Sequence, residues 1–257
     1  MNVSALLDAY GNILGLVIAL LCLGLIILFV ATGRNKPGRN LREIPAFQRF
    51  RREVGLAVES GKRLHISLGH GGINEMPAGS AFVGLTMLDR CARAASISDC
   101  PPVATSGDPL LAILSQDTLR GTYRSLGAER LYEPASGRLS GLTPLAFTAG
   151  VLPVIHDEQI SSNILAGHFG GEVALLTEAG ERGGSLTVAG SDNITAQAVL
   201  YAAAQEPLIG EELYAGGAYL GAGPIHAASL RMQDILRWLL IALIVIGALL
   251  RLFLGGG

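Results

Sequence analysis

The stretch LHISLGHGGINEMPAGSAF, residues 64–82, decides how the rest of the chain is interpreted. Its short apolar run predicts a strand, its glycine-rich part predicts a turn that contains His70, and its end predicts the start of a helix. A strand that passes through a turn into a helix is half of a βαβ unit, so the stretch favours an α/β fold. It also raises the question whether the turn binds a phosphate or an oxyanion, or is only a turn.

The following residues repeat this alternation of short apolar runs and helical patterns. Further strands are predicted at 102–106, 150–155 and 185–190, and helices at 80–96, 109–127, 159–166, 171–182 and 194–204. Pro153 weakens the strand at 150–155 or places it at an edge, and residues 132–141 predict a loop. The alternation predicts right-handed βαβ units in one domain over 63–222, with a mostly parallel, Rossmann-like sheet flanked by helices.

Each predicted strand runs into a small polar cluster before its helix. The clusters are Gly69-His70-Gly71-Gly72, Ser106-Gly107-Asp108, His156-Asp157-Glu158 and Ser191-Asp192-Asn193. In an open parallel sheet they would share the carboxyl edge of the strands, where ligands usually bind. These residues are therefore the candidate ligand-binding site.

Helix capping explains part of this pattern. Asp108 stands directly before Pro109, which is typical of an N-cap followed by proline at the first helical position. One residue of Ser191-Asp192-Asn193 would cap the next helix in the same way. Capping leaves His70 and the run His156-Asp157-Glu158 unexplained. A single histidine in an apolar strand, such as His65, is interpreted as a packed residue.

Known motifs do not identify a ligand for this site. The chain has no GxxxxGK[ST] sequence, and Gly69-His70-Gly71-Gly72-Ile73-Asn74 lacks the last glycine of GxGxxG. The run at 65–69 resembles the hydrolase sequence GxSxG but begins with histidine and places Ser67 inside a strand. Several side chains are of metal-binding types without a metal-binding spacing, namely His70, His156, Asp157, Glu158 and His168. No catalytic residue, metal or cofactor is therefore predicted, whereas a phosphate at a helix N-terminus needs no fixed motif.

Two apolar segments bracket the predicted domain in a chain that is 50% hydrophobic and only 16% charged. Residues 13–31 carry no charge and are long enough for a first membrane-spanning helix. A signal peptide is disfavoured there because no basic residue precedes the segment. A helix over 224–254 is predicted to act as a stalk and to continue into a second span, if Arg251 extends its side chain to the membrane surface. A re-entrant or interfacial helix is the alternative for this second segment.

The distribution of charge predicts the orientation. Residues 34–63 carry nine basic and three acidic residues, whereas 64–230 carry seven basic and sixteen acidic ones. By the positive-inside rule the domain faces the cytoplasm from the cell (inner) membrane, and both termini, including the tail 1–12, lie outside. An acidic domain with few aromatic residues excludes nucleic acid as a partner. The cysteines Cys22, Cys91 and Cys100 have no paired spacing, which agrees with a reducing compartment.

A juxtamembrane amphipathic helix is predicted within 34–62. Apolar residues recur at three- and four-residue spacings, and basic residues mostly lie off that stripe: Ile44, Phe47, Phe50, Val54 and Val58 against Arg49, Arg51 and Arg52. Two interpretations remain open. The basic residues, which include Arg34, Lys36 and Arg39, could attract anionic lipid, or the apolar stripe could pack on the domain.

Small residues recur every four positions in the first predicted span, at Gly11, Gly15 and Ala19. Such a face suits close packing of helices in a bilayer. Its partner is either the second span, through Ala242 and Gly247, or another copy of the chain. This pattern favours a scaffolding homo-oligomer or an accessory subunit of a membrane complex. The alternative function is a module or enzyme that binds a nucleotide or another phosphorylated metabolite at the carboxyl edge of the sheet.

Three long strings carry a family resemblance. They are PPVATSGDPLLAILSQDTLRGTYRSLGAE (101–129), LPVIHDEQISSNILAGHFGGEVALLTEAGERGGSLTVAGSDN (152–193) and QAVLYAAAQEPLIGEELYAGGAYLGAGPIHAASLRMQD (197–234). Over roughly residues 60–238 the chain resembles an uncharacterised family of bacterial membrane proteins that is known as a domain of unknown function. The resemblance implies a membrane-anchored domain and supplies no activity, cofactor or catalytic residue.

Overall fold

The structure is a computed structural model, and it describes residues 3–33, 42–73, 78–98 and 100–254. The chain divides into two compact units. One unit comprises the two ends of the chain, and the other comprises Arg42–Ala222.

Six parallel strands form the sheet of the Arg42–Ala222 unit within the described residues. They are β1 (Arg63–Gly69), β2 (Val103–Ser106), β3 (Gly137–Leu139), β4 (Ile160–His168), β5 (Leu186–Ser191) and β6 (Glu206–Leu208), in the order β3-β2-β1-β4-β5-β6. The predicted Rossmann-like parallel sheet is thus confirmed. The chain winds outward in one direction from β1 and in the other from β4, so the topological switch point lies between these two central strands.

Helices cover both faces of this sheet. The helices of the described residues are α1 (Val3–Gly33), α2 (Pro45–Glu59), α3 (Ala78–Ala94), α4 (Pro109–Ser125), α5 (Pro144–Asp157), α6 (Val173–Arg182), α7 (Ile194–Ala203), α8 (Glu212–Tyr219) and α9 (Pro224–Leu254). One core cluster joins α2, α3, α4 and α8 to the sheet, and a second joins α5, α6 and α7 to it. Strand β1 is buried on both sides because Leu64, Ile66 and Leu68 belong to the first cluster, while His65 and Ser67 alternate with them.

The predicted strand at 150–155 is wrong, because these residues lie inside α5. Pro144 begins this helix after the N-cap Thr143, whose side chain accepts a hydrogen bond from the amide of Ala146 at 3.3 Å. The buried residues Val151, Val154 and Ile155 follow helical spacing, and Pro153 lies on the exposed side. The strand comes next in the chain, as β4, where a helix was predicted.

Three further elements were not predicted. Strand β3 lies in the segment 132–141 that predicted a loop, and β6 and α8 lie in residues 206–219, for which the sequence indicated no element. Both β3 and β6 have three residues and lie at the two edges of the sheet. Such short edge strands carry too little periodic pattern to be recognised from sequence.

The apolar stripe of α2 packs on the domain. Phe47, Phe50 and Val54 are almost fully buried in the core cluster that includes β1. Phe47 stacks on Tyr219 with the ring centres 5.0 Å apart. This packing is the second of the two interpretations of the amphipathic segment, and attraction to anionic lipid stays a prediction.

Two basic residues next to this stripe are paired within the domain. Arg42 donates to Glu212 at 2.9 Å, and Arg49 lies 2.5 Å from Glu206. The predicted basic residues Arg34, Lys36 and Arg39 lie outside the described residues.

Helices α1 and α9 form the other unit and contact each other. Their segments Gly11–Thr32 and Pro224–Leu252 are long and apolar enough to cross a membrane. Apart from the chain neighbours and the helix backbone of each glycine, no described atom lies within 4 Å of the position that a Cβ would take on Gly11, Gly15 or Gly247. Ala19 and Ala242 are exposed as well. The small-residue face is therefore open in a single chain, and its packing on another copy stays a prediction.

Candidate functional site at the carboxyl edge of the sheet

The turns that follow β1, β2 and β4 are tied together at the switch point. The amide of His70 donates to the carbonyl of His168 at 3.0 Å, and the amide of Gly107 donates to the carbonyl of Gly69 at 2.8 Å. These bonds continue the sheet beyond the ends of its strands. They place the first residue after β1 next to the last residue of β4.

Two histidine–carboxylate pairs occupy this position. His70 Nε2 lies 2.8 Å from Glu172 Oε1, and His168 Nδ1 lies 2.7 Å from Asp192 Oδ1. The two imidazole rings are 5.4 Å apart and nearly perpendicular. Because a carboxylate accepts, the paired nitrogen of each ring carries the proton, which fixes the orientation of the ring. No hydrogen bond from a described side chain or amide reaches the second nitrogen of either ring.

Asp192 connects His168 to the start of α3. Its second oxygen, Oδ2, accepts a hydrogen bond from the buried hydroxyl of Ser80 at 3.0 Å. Burial raises the pKa of the Tyr214 phenol on α8, and the negative charge of Asp192 raises it further. The site therefore joins His168 at the end of β4, Asp192 directly after β5 and Ser80 of α3 through hydrogen bonds.

Glu172 is held ionised by its surroundings. Burial alone would raise its pKa, but hydrogen bonds from backbone amides and from His70 outweigh burial, and the pKa lies below its usual value. The amide of Gly170 donates to Glu172 Oε1 at 2.6 Å, and His70 Nε2 lies 2.8 Å from the same oxygen. Ionised Glu172 contributes stability at neutral pH, and that contribution is lost as the pH falls through the range in which carboxylates protonate.

Glycine is required at two positions of the site for different reasons. Gly69 has a φ of +74°, and a Cβ there would clash with the carbonyl oxygen of His168. A Cβ on Gly107 would stand 2.6 Å from Cβ of His70. The glycine-rich turn thus allows β1, β2 and β4 to end close together, with His70 between them.

We expect Gly69→Ala to lower the free energy of unfolding by more than about 2 kcal/mol, because it combines left-handed backbone strain with a clash against fixed backbone. Gly127→Ala is the matched control. Gly127 has a φ of +68° but no atom within 4 Å of the Cβ position, so only the strain of about 1 kcal/mol applies. Urea unfolding of both variants measures the difference, and equal losses would contradict the close approach of β1 and β4.

Four other predicted site residues lie at the same edge and make local turn and cap contacts. Asp108 caps α4 by accepting from the amide of Leu111 at 2.8 Å, and Ser106 donates to the Asp108 carbonyl at 3.1 Å. Asn193 caps α7, and Ser191 Oγ accepts from the amides of Phe169 and Asn193.

The predicted residues Gly71 and Gly72 follow His70 in the turn, and Gly71 is buried.

The run His156-Asp157-Glu158 does not belong to this edge. It lies at the C-terminal end of α5 and leads into β4, so it stands at the amino end of the strands. Glu158 accepts from Arg63 at 2.6 Å and from Arg138. Burial alone would raise the pKa of Glu158, but the two arginines lower it below its usual value. Placing these three residues in the site was wrong because the preceding segment is a helix.

Glu172 was not predicted as a site residue, and His168 was predicted only as a side chain of a metal-binding type without a metal-binding spacing. A signal for His168 was present, since β1 and β4 end in similar sequences, Gly69-His70-Gly71-Gly72 and Gly167-His168-Phe169-Gly170. Once 160–168 is assigned as a strand, His168 is the last residue of β4 and pairs with Gly69, so His70 follows directly after its partner in β1. Among the described residues, no group of three or more His, Cys, Asp or Glu side chains is placed to hold a metal ion.

A family model for a domain of unknown function, DUF6754, matches residues 7–255. The chain belongs to this family. No curated protein and no solved structure matches the chain significantly. The predicted resemblance to a domain of unknown function is thereby confirmed, and the bacterial and membrane nature of the family stays a prediction. That name assigns no activity, so the geometry of the site is the basis for the function proposed for this DUF6754 chain.

Proposed function

We propose that the domain binds a small anionic ligand, a nucleotide or another phosphorylated metabolite, in the crevice between β1 and β4. The observation that supports this most is the pair of facing imidazoles, each fixed by a carboxylate, at the topological switch point. Open parallel sheets bind ligands at this position because the loops on the two sides separate there. The partly buried rings of His70 and His168 each keep one nitrogen for a ligand.

The charge of the crevice is compatible with such a ligand. Asp157 and Glu158 would have repelled an anion, but they lie at the opposite edge of the sheet. Among the described carboxylates at this edge, Glu172 and Asp192 are each hydrogen-bonded to a histidine, and Asp108 caps α4. A bound phosphate would be contacted by both rings in their doubly protonated form, in which one N–H of each ring donates to its carboxylate and the other N–H donates to the phosphate.

Membrane anchoring completes the proposal. Helices α1 and α9 are the membrane spans, and the domain between them faces the cytoplasm of a bacterial cell, with both termini outside the inner membrane. Two observations support this arrangement, namely the apolar segments Gly11–Thr32 and Pro224–Leu252 and the basic residues that follow the first of them.

Self-assembly in the bilayer is a second candidate function, as a scaffold or as an accessory subunit of a membrane complex. The observation that favours it is the open face at Gly11, Gly15 and Gly247, near which no described atom lies apart from the chain neighbours and own helix backbone of each glycine. In lipid, such faces allow helices to approach closely. Homo-oligomer formation and ligand binding are compatible because the spans and the crevice share no residue.

Histidine substitution tests the ligand proposal. Full-length protein in a neutral detergent is titrated with AMP and with inorganic phosphate, and the ring signals of the histidines are followed by NMR. We expect shifts of His70 and His168, and at least a tenfold loss of affinity in His70→Ala and in His168→Ala, because each removes a donor to the phosphate. His156→Ala, at the opposite edge, is the control and should bind normally. Binding of AMP and phosphate that is unchanged in both site variants would contradict the proposal.

A further inference from the structure

A cavity of about 590 Å³ lies between α2, α3 and the end of α8, and it shares no residue with the crevice between β1 and β4. Apolar side chains, among them Phe50, Val54 and Leu220, line part of it. Three arginines line another part, namely Arg51, Arg90 and Arg93. The cavity therefore combines an apolar surface with a concentrated positive charge.

At this cavity, the positive charge of the arginines exceeds the negative charge of the carboxylates beside them. Within the described residues, Asp89 is the one carboxylate that forms ion pairs with these arginines, and its partners are Arg90 and Arg93. It accepts from Arg93 Nε at 3.0 Å and from the hydroxyl of Thr122 at 2.6 Å. The cavity thus has three guanidinium groups, and Asp89 pairs with two of them. An anion of charge −1 or −2 would balance the remaining positive charge.

Arg90 has a donor that this arrangement does not satisfy. Its Nε is buried and has no hydrogen-bond partner, since the nearest oxygen of Asp89 is 3.7 Å away. Arg51 donates one N–H to the carbonyl of Tyr219 at the end of α8, and its exposed guanidinium has further donors to offer. Buried unpaired donors are unfavourable, so an acceptor in the cavity would stabilise the arrangement.

We propose that this cavity binds a phosphate-bearing amphiphile. The phosphate oxygens accept from Arg51 and Arg90, since planar guanidinium groups suit phosphate geometry. The apolar chain lies on Phe50, Val54 and Leu220. A membrane lipid is one source of this ligand, because α2 is the first helix after α1 in the chain and the last lining residue, Gly221, comes three residues before Pro224, the first residue of α9.

Two sources can supply this chemistry, a phospholipid of the bilayer or a free amphiphile. The first arm of the test titrates soluble dihexanoyl phosphatidic acid into the full-length protein in a neutral detergent. Calorimetry should show saturable binding of one equivalent. Dihexanoyl phosphatidylcholine, whose phosphate charge is balanced by its own cation, should bind at least tenfold more weakly.

The second arm uses nanodiscs and hydrogen exchange at residues 50–54 and 218–221. If bilayer lipid is the source, discs that contain phosphatidic acid should slow the exchange of these residues relative to discs of pure phosphatidylcholine. If a free amphiphile is the source, the exchange should slow only when the soluble compound is added. Either result supports the site and identifies its source.

Substitution decides whether the arginines form the site. Arg51→Gln with Arg90→Gln should weaken the binding of dihexanoyl phosphatidic acid at least tenfold, whereas Arg120→Gln, an exposed position outside the cavity, should not change it. The single variant Arg51→Gln, at an exposed side chain, replaces the double variant if that one does not fold. Undiminished binding in the variants, or equal binding of the phosphatidylcholine analogue, would overturn the proposal.

Discussion

The free energy of unfolding of the domain should fall by about 2 kcal/mol between pH 7 and pH 5 through the titration of His65 alone, and by about 3 kcal/mol by pH 4. Burial is the main cause, and it lowers the pKa of His65 from 6.5 to about 4 in the folded protein. Between these two values the unfolded chain binds a proton that the folded chain does not. The stability is therefore complete above about pH 6.5 and is lost as the pH falls toward 4.

The contacts of His65 explain why its ring is neutral in the folded state. The ring is fully buried in the middle of the sheet, with Nδ1 at 2.7 Å from Asn163 Oδ1 and Nε2 at 2.8 Å from the hydroxyl of Thr105. Asn163 donates its amide to the carbonyl of Leu176, so its oxygen faces the ring. Nδ1 therefore donates, and Nε2 accepts from Thr105, which is the pattern of one neutral tautomer.

Urea unfolding followed by circular dichroism, on the full chain in a neutral detergent, measures this dependence. The wild-type protein should lose about 1.2 kcal/mol per pH unit in the steepest part of the range below pH 6.5. His65→Gln should remove that slope, and the exposed His156→Gln should keep it. A wild-type unfolding free energy that is constant from pH 7 to pH 5 would show that His65 is not a buried neutral histidine.

Phe47→Ala should lower the unfolding free energy by about 3–5 kcal/mol, the usual cost of removing a buried phenylalanine ring. Phe47 is only 1% exposed, belongs to the same core cluster as Leu64 and Ile66 of β1, and stacks on Tyr219. The effect is large because α2 is part of the core of the domain and not a solvated segment beside the membrane.

Phe82→Ala is the matched control for this prediction. Phe82 lies on α3 and is 52% exposed, so its substitution should cost less than about 1 kcal/mol. The same urea assay at pH 7 compares the two variants. Equal effects of Phe47→Ala and Phe82→Ala would contradict the burial of α2 in the domain.

Local patterns determined which elements could be predicted from the sequence. The stripe of α2 and the alternation of β1 with α3 are regular over several turns or residues, and both were predicted. The strand prediction at 150–155 was wrong because a short apolar run is compatible with a strand as well as with a buried helix. The reverse error occurred at β4, where the buried polar residues Ser162 and Asn163 interrupt the apolar run of a central strand.

The same distinction applies to the site. The caps Asp108 and Asn193 were predictable because a cap depends on residues two or three positions away. The pair His70–Glu172 joins residues that are 102 positions apart, so it depends on the order of the strands. One misassigned element was enough to place His156-Asp157-Glu158 at the wrong edge of the sheet. In a βαβ chain, turns that follow strands lie at the carboxyl edge and turns that follow helices lie at the amino edge.

Native mass spectrometry of the full-length protein, released gently from its membrane, tests the ligand-binding crevice most directly. Wild-type protein and His156→Ala should carry a defined added mass of a nucleotide or phosphorylated metabolite. The variant His70→Ala with His168→Ala should lose that mass, and the number of chains per particle should not change. A wild-type spectrum without any bound small molecule, or the same added mass on the double variant, would contradict binding between β1 and β4.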